Sequence, residues 1–183
     1  MVRNMDFPIC VDLDGTLLRG STLPMVARLY LEQRLFLLKD FSSVRWAAVK
    51  KSVCSRIDFS GQVFEFRAGL VSFLKERRDC GIKIFLVTGA DQKVADEVAG
   101  RIGLFHDAIG SDGFRHLVGR NKARYLAERF GKFRFAYIGD SYRDMFVWRY
   151  ASEIIIVKNS WILVSVLSAI KRREQNMICR FVD

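Results

Sequence analysis

Four short apolar runs, each closed by a polar turn, constrain this chain more than any other feature. They cover residues 7–11, 82–87, 135–138 and 154–157, with helix-like stretches between them. A strand buried on both faces reads as an unbroken apolar run, whereas a half-exposed one alternates. Strands that alternate with helices need crossover connections, and these are right-handed, so the sheet is expected to be mainly parallel. A weaker strand candidate over 107–110 fits the same rhythm. The expected fold class is α/β: a Rossmann-like, mainly parallel sheet flanked by helices. The 183 residues suffice for one domain with a modest insertion. Half of them are hydrophobic, which excludes a disordered chain.

The first run ends in Asp12-Leu13-Asp14-Gly15-Thr16. Ligands in open α/β sheets sit at the carboxyl ends of the strands, so this is where chemistry is expected. Two carboxylates this close repel unless a cation or a shared proton lies between them. Oxygen ligands of this kind suit a hard divalent ion such as Mg²⁺. The plainer alternative is a turn in which both aspartates cap backbone amides.

Two other strand ends carry polar groups. Residues 82–87 run into Thr88-Gly89-Ala90-Asp91, and 135–138 into Gly139-Asp140-Ser141, with Asp144 one helical turn on. In a parallel sheet these ends share an edge, so Asp12, Asp14, Thr88, Asp140 and Asp144 should converge. Ser141 is a good N-cap for a helix running through Tyr150, and with Asp144 it resembles a capping box. Thr88 could equally be a loop hydroxyl bonding a nearby amide. Lys122 falls in the first turn of a helix predicted over 121–130, where a cation opposes the helix dipole by ~0.3–1 kcal/mol. A local rule broken at the sheet edge points to function, such as neutralising a phosphate or the aspartates.

The segment after the first strand differs from the rest. The spacing predicts a helix over 23–38, started by Ser21, Thr22 and Pro24, and a second over 41–54 with Ser42 or Ser43 as N-cap. Residues 21–60 hold seven Lys or Arg against three Asp or Glu. Such a surface is either a solvated helical face or a basic lid over an anionic substrate.

The formal net charge of +10 also favours anionic partners. The basic residues are scattered and no nucleic-acid motif stands out, so no nucleic-acid partner is expected. Cys10, Cys54, Cys80 and Cys179 lack metal-ligand spacing and read as thiols in a reducing compartment. No signal peptide is evident, because the early apolar run is short and leads into Asp12; a cytoplasmic protein is expected. The apolar stretch 161–170, followed by Lys171, Arg172 and Arg173, is about half the ~20 residues that span a bilayer. It is read as a helix packing on the sheet, with peripheral membrane association as the alternative.

Asp-x-Asp-Gly-Thr at 12–16, then Thr88, then Lys122, then Gly-Asp-Ser-x-x-Asp at 139–144 form an ordered set. It resembles the haloacid dehalogenase-like hydrolase superfamily, phosphatase branch. Residues 110–157 look more narrowly like the hydrolase-like domain often fused to bacterial polyprenyl prenyltransferases. The resemblance implies an enzyme that hydrolyses a small phosphomonoester through an aspartyl-phosphate. Asp12 would be the nucleophile and Asp14 the proton carrier. Mg²⁺ would be held by Asp12, the Asp14 main-chain carbonyl and Asp140, with Asp144 behind them. Thr88 and Lys122 would bind the phosphoryl group. Residues 1–17 and 66–183 would form the core and 18–65 a helical cap. The same residues would serve phosphoryl transfer to another acceptor, or a low-activity regulatory partner of a membrane prenyltransferase.

Overall fold

A computed structural model of the chain describes residues 7–33, 46–157 and 178–181. Six parallel strands form one sheet in the order β3-β2-β1-β4-β5-β6. These are β1 (Ile9–Val11), β2 (Ile84–Asp91), β3 (Asp107–Ser111), β4 (Ala136–Gly139), β5 (Glu153–Ile156) and β6 (Ile178–Phe181). The helices are α1 (Thr22–Glu32), α2 (Trp46–Arg56), α3 (Ala68–Asp79), α4 (Gln92–Ile102), α5 (Arg120–Phe130) and the short α6 (Met145–Trp148). This is the expected α/β architecture, a Rossmann-like parallel sheet flanked by helices.

Strand alternation divides the core in two. Ile9, Val11, Ile84, Leu86 and Ile138 face the side covered by α1, α2, α3 and α4. Cys10, Phe85, Val87 and Tyr137 face the other side, under α5 and α6. Each central strand is therefore apolar on both faces, as the unbroken runs predict. After β3 the chain crosses back over β1 to enter the sheet as β4. The strand order thus reverses at β1, and the crevice at its carboxyl end is where such sheets bind ligands.

The path into and out of residues 18–65 is a narrow antiparallel ribbon. Leu18 bridges Phe66, and main-chain bonds run from Arg19 N–H to the Glu65 carbonyl and from Arg67 N–H to the Leu17 carbonyl, both 3.0 Å. Ser21 caps α1, its Oγ accepting the Leu23 amide at 3.4 Å. The predicted 23–38 helix is described only to Glu32. Residues 34–45, with the proposed Ser42 or Ser43 cap, and the 161–170 stretch lie outside the described residues.

Three elements differ from the sequence expectation. β2 continues through Thr88, Gly89 and Ala90 to Asp91, because a register shift after Val87 lets Asp91 pair with Ser111. The helix expected from Ser141 through Tyr150 is a 3-10 turn (Tyr142–Asp144) leading into the four-residue α6. There the Asp144 carboxylate ties back to Ser141 and tightens the first turn. β6 carries too little local signal in four residues and had no predicted counterpart. Among the described residues, Cys10, Cys54 and Cys80 are free thiols and no helix is long and apolar enough to cross a membrane. Burial pushes the Cys54 thiol up to about 12, so it stays protonated in the core.

Candidate active site

Asp12 is fixed by the sheet itself. Its N–H donates to the Ile138 carbonyl at 3.0 Å, carrying the β1–β4 ladder one residue past Val11. The chain then turns through residues 13–17, with Leu18 N–H returning to the Leu13 carbonyl at 2.9 Å. Gly15 makes this turn with φ +76°, a left-handed conformation that suits glycine. A Cβ at Gly15 would also stand 2.3 Å from Asp140 Oδ2, so the loop passes directly over the Asp140 carboxylate. Thr16, fully buried, donates its hydroxyl to Asp140 Oδ1 at 3.2 Å. The two motifs are thereby joined across 124 residues of sequence.

Lys122 lies in the first turn of α5. Its ammonium is buried and donates to Asp12 Oδ1 at 2.7 Å. Burial raises the Asp12 carboxyl to about 7; Lys122 opposes that rise, while Asp144 and Asp14 add to it. For Lys122, burial alone would lower the ammonium, but the carboxylates of Asp12 and Asp144 outweigh it and hold it above its ordinary value.

Asp144 is buried, and its capping box with Ser141 is real. Oδ2 accepts the Ser141 amide at 3.0 Å and the Ser141 hydroxyl at 2.8 Å. A Cβ on Gly139 would come within 2.6 Å of the Asp144 carboxyl carbon, so glycine there allows the close packing. Oxygens of Asp12, Asp140 and Asp144 lie within 4.8 Å of one another, the only such cluster that could hold a metal ion among the described residues.

Asp14 and Thr88 lie at the same edge in quieter roles. The Asp14 carboxylate accepts the Thr22 amide at 2.6 Å and the Thr22 hydroxyl at 3.1 Å, linking the loop after β1 to the first turn of α1. Thr88 lies two residues past Leu86, the partner of Val11, and its hydroxyl accepts the Ala90 amide at 3.0 Å. That oxygen therefore still has its own proton to donate.

Sequence reasoning missed Tyr137, which sits inside an apolar run and reads as core. Lys122 Nζ donates to its hydroxyl at 3.0 Å, and that hydroxyl donates to Asp144 Oδ1 at 2.8 Å. Burial, with the Asp144 and Asp12 carboxylates, holds the phenol well above its usual range, so it stays a proton donor. A buried tyrosine needs a partner for its hydroxyl, and Tyr137 shares a face with Cys10 beneath α5, where Lys122 resides. That was the available signal. Tyr137→Phe keeps the ring but strands one Lys122 proton and one Asp144 oxygen. It is expected to lower unfolding free energy by about 1–3 kcal/mol in urea titrations.

No family model matches the chain. An uncharacterized protein of Sinorhizobium fredii, y4nM, is 31% identical over 154 residues; the match covers 82% of this chain and 30% of that protein. The chain thus spans less than a third of the length of that relative. Among solved structures, apo phosphoserine phosphatase superposes with a TM-score of 0.59 at 18% identity, over 95% of this chain and 92% of that one. A phospho-aspartyl intermediate analogue of phosphoserine phosphatase gives 0.54 at 15%, over 94% and 92%. A HAD family hydrolase from Salmonella enterica serovar Typhi gives 0.59 at 16%, over 91% and 68%. At these identities the likeness is one of fold, and these structural neighbours are phosphatases and a hydrolase by description.

Proposed function

We propose that this chain is a phosphatase that hydrolyses a small phosphomonoester through an aspartyl-phosphate at Asp12. The observation that carries this reading is the buried Lys122–Asp12 ion pair at the strand-order reversal, beside the Asp140 and Asp144 carboxylates. A carboxylate at that point can attack, and an ammonium beside it can hold charge on the phosphoryl oxygens.

The donor set also fits a hard divalent cation. Carboxylate oxygens of Asp12, Asp140 and Asp144 cluster beside the buried ammonium of Lys122, and the clustered donors are all oxygens. Asp12, Asp140 and the Asp14 carbonyl would hold Mg²⁺, while Asp144, with both oxygens already accepting hydrogen bonds, orients the site from behind. Bound there, the ion would neutralise charge on the phosphoryl group and on the nucleophile.

The chain's own residues would then act in turn. Asp12 attacks phosphorus, the ester oxygen leaves, and Asp14 gives that oxygen its proton. Asp14 next accepts a proton from water as the hydroxide attacks the aspartyl-phosphate, freeing phosphate and regenerating Asp12. Asp14 is held by Thr22 of α1, so the proton carrier is tied to the segment 18–65 that we assign as a cap. Thr88 and Lys122 steady the phosphoryl oxygens, and Tyr137 keeps Lys122 aimed.

Phosphate release from a panel of phosphomonoesters, with Mg²⁺ and with EDTA, tests this. Release with Mg²⁺ that EDTA abolishes is expected. No release from any ester, or release indifferent to EDTA, would overturn the corresponding half of the reading.

A further inference from the structure

On the sheet face away from α1–α4, the helices α5 and α6 leave an open groove of about 520 Å³, within the size range of small-molecule sites. Ala123, Leu126, Val147 and Trp148 bury the inner sides of the two helices in the core there. The outer sides carry the groove. Ala123, Ala127, Phe146 and Tyr150 give it an apolar lining. Lys122 lies on the buried face of the same α5 and is engaged with Asp12, so the groove is separate from the candidate active site.

Its charge is lopsided. Arg120 and Arg124 of α5, Lys132 of the turn that follows and Arg149 just past α6 all line it, and all four are exposed. Glu128 is the one acid among the described residues that line it. Glu128 stands one helical turn from Arg124, a spacing at which opposite charges pair. Arg28 with Glu32 and Arg101 with Glu97 do pair at that spacing. Yet among the described residues no ion pair joins any of the four groove cations to a carboxylate. Two of them turn to rings instead: the Arg120 guanidinium lies 5.4 Å from the Phe146 ring centre, and the Lys132 ammonium 5.4 Å from that of Tyr150. Arg120 also stands in a first turn that holds no acid, where a cation opposes the helix dipole.

Unbalanced charge in a concave, partly apolar groove draws anions. Three of the four cations are arginines, whose planar forks match pairs of phosphate oxygens. Arg120 and Lys132 flank a helix of 11 residues, about 16 Å long, so a single phosphate cannot serve the whole groove. We propose that the α5–α6 groove is a binding site for an oligophosphate, free or as the phosphate chain of a nucleotide.

Isothermal titration calorimetry with tripolyphosphate and with ATP, in metal-free buffer of low ionic strength, tests it. One equivalent per chain is expected to bind with a dissociation constant below about 0.1 mM. Arg124→Gln and Arg149→Gln should each weaken binding at least about fivefold. Lys75→Gln, an equal loss of charge at an exposed position of α3 across the sheet, should stay within about twofold. Glu128→Gln should tighten binding about threefold, a gain that damage to the fold would not produce. Tighter binding of ATP than of tripolyphosphate assigns the apolar lining to the base; equal affinities assign the site to the phosphate chain alone. Failure of both ligands to bind at about 1 mM, affinities unchanged in both arginine variants, or an equal loss in Lys75→Gln would overturn the site. None of these outcomes bears on the phosphatase reading, which phosphate release decides.

Discussion

Asp12→Asn is expected to reduce phosphate release by at least about 10⁴-fold, since an amide cannot form the aspartyl-phosphate and the residues around it act as a unit. The substitution preserves shape and keeps a carbonyl to accept the Lys122 proton. Folding should therefore survive, weakened by up to about 3 kcal/mol because a buried ammonium loses its carboxylate. Steady-state release at saturating ester, beside a circular dichroism melt, separates the two effects. A variant within tenfold of the wild-type rate would remove Asp12 from the chemistry. A melt showing an unfolded protein would shift the test to Asp12→Glu, whose carboxylate keeps the pair but is displaced by one methylene.

Lys122→Met carries the second large expectation. The thioether fills the path of the lysine stem, so the principal loss is the charge 2.7 Å from Asp12 Oδ1. Two consequences should appear together. In the metal-free protein Asp12 would face Asp140 and Asp144 without its ammonium, and breaking such a pair typically destabilises by about 3–5 kcal/mol. The rate should fall by about 10²–10³-fold, the range seen when one preorganised electrostatic contact to the reacting group is removed. The direction at Asp12 is also set. Burial already raises its carboxyl to about 7 against the pull of Lys122, so without that pull it rises further. A rate unaffected by the substitution would mean that Lys122 serves the fold alone.

Much of this site was legible beforehand, for identifiable reasons. Asp12, Thr88 and Asp140 follow apolar runs, and the end of such a run in a parallel sheet is a place in space as well as in sequence. Lys122 stood out because its charge opposed its helix. Ser141 and Asp144 stood out by capping-box spacing, and both bonds of that box are present. Tyr137 did not stand out, because nothing local separates a ring that fills a core from one whose hydroxyl bridges an ammonium and a carboxylate. Lys50 was only one of seven basic residues in a segment that admitted two readings. Its bond to the Gly89 carbonyl depends on how α2 docks on the sheet. The length of the helix after Ser141 was misjudged because the box that starts it also tightens it.

Apart from β6 and the end of β2, the residues that form strands, the faces they bury and the polar groups at their ends were legible in the sequence alone. These are properties of neighbours along the chain, written as runs, periods of two or 3.6 and turn residues. Which of these groups meet became visible in the folded chain: Lys122 and Asp12 from 110 residues apart, Thr16 and Asp140 from 124, and Tyr137 between Lys122 and Asp144. Those meetings follow from β4 lying beside β1 rather than beyond β3. Strand order is set by how whole helices pack across the sheet, so no local stretch of residues contains it.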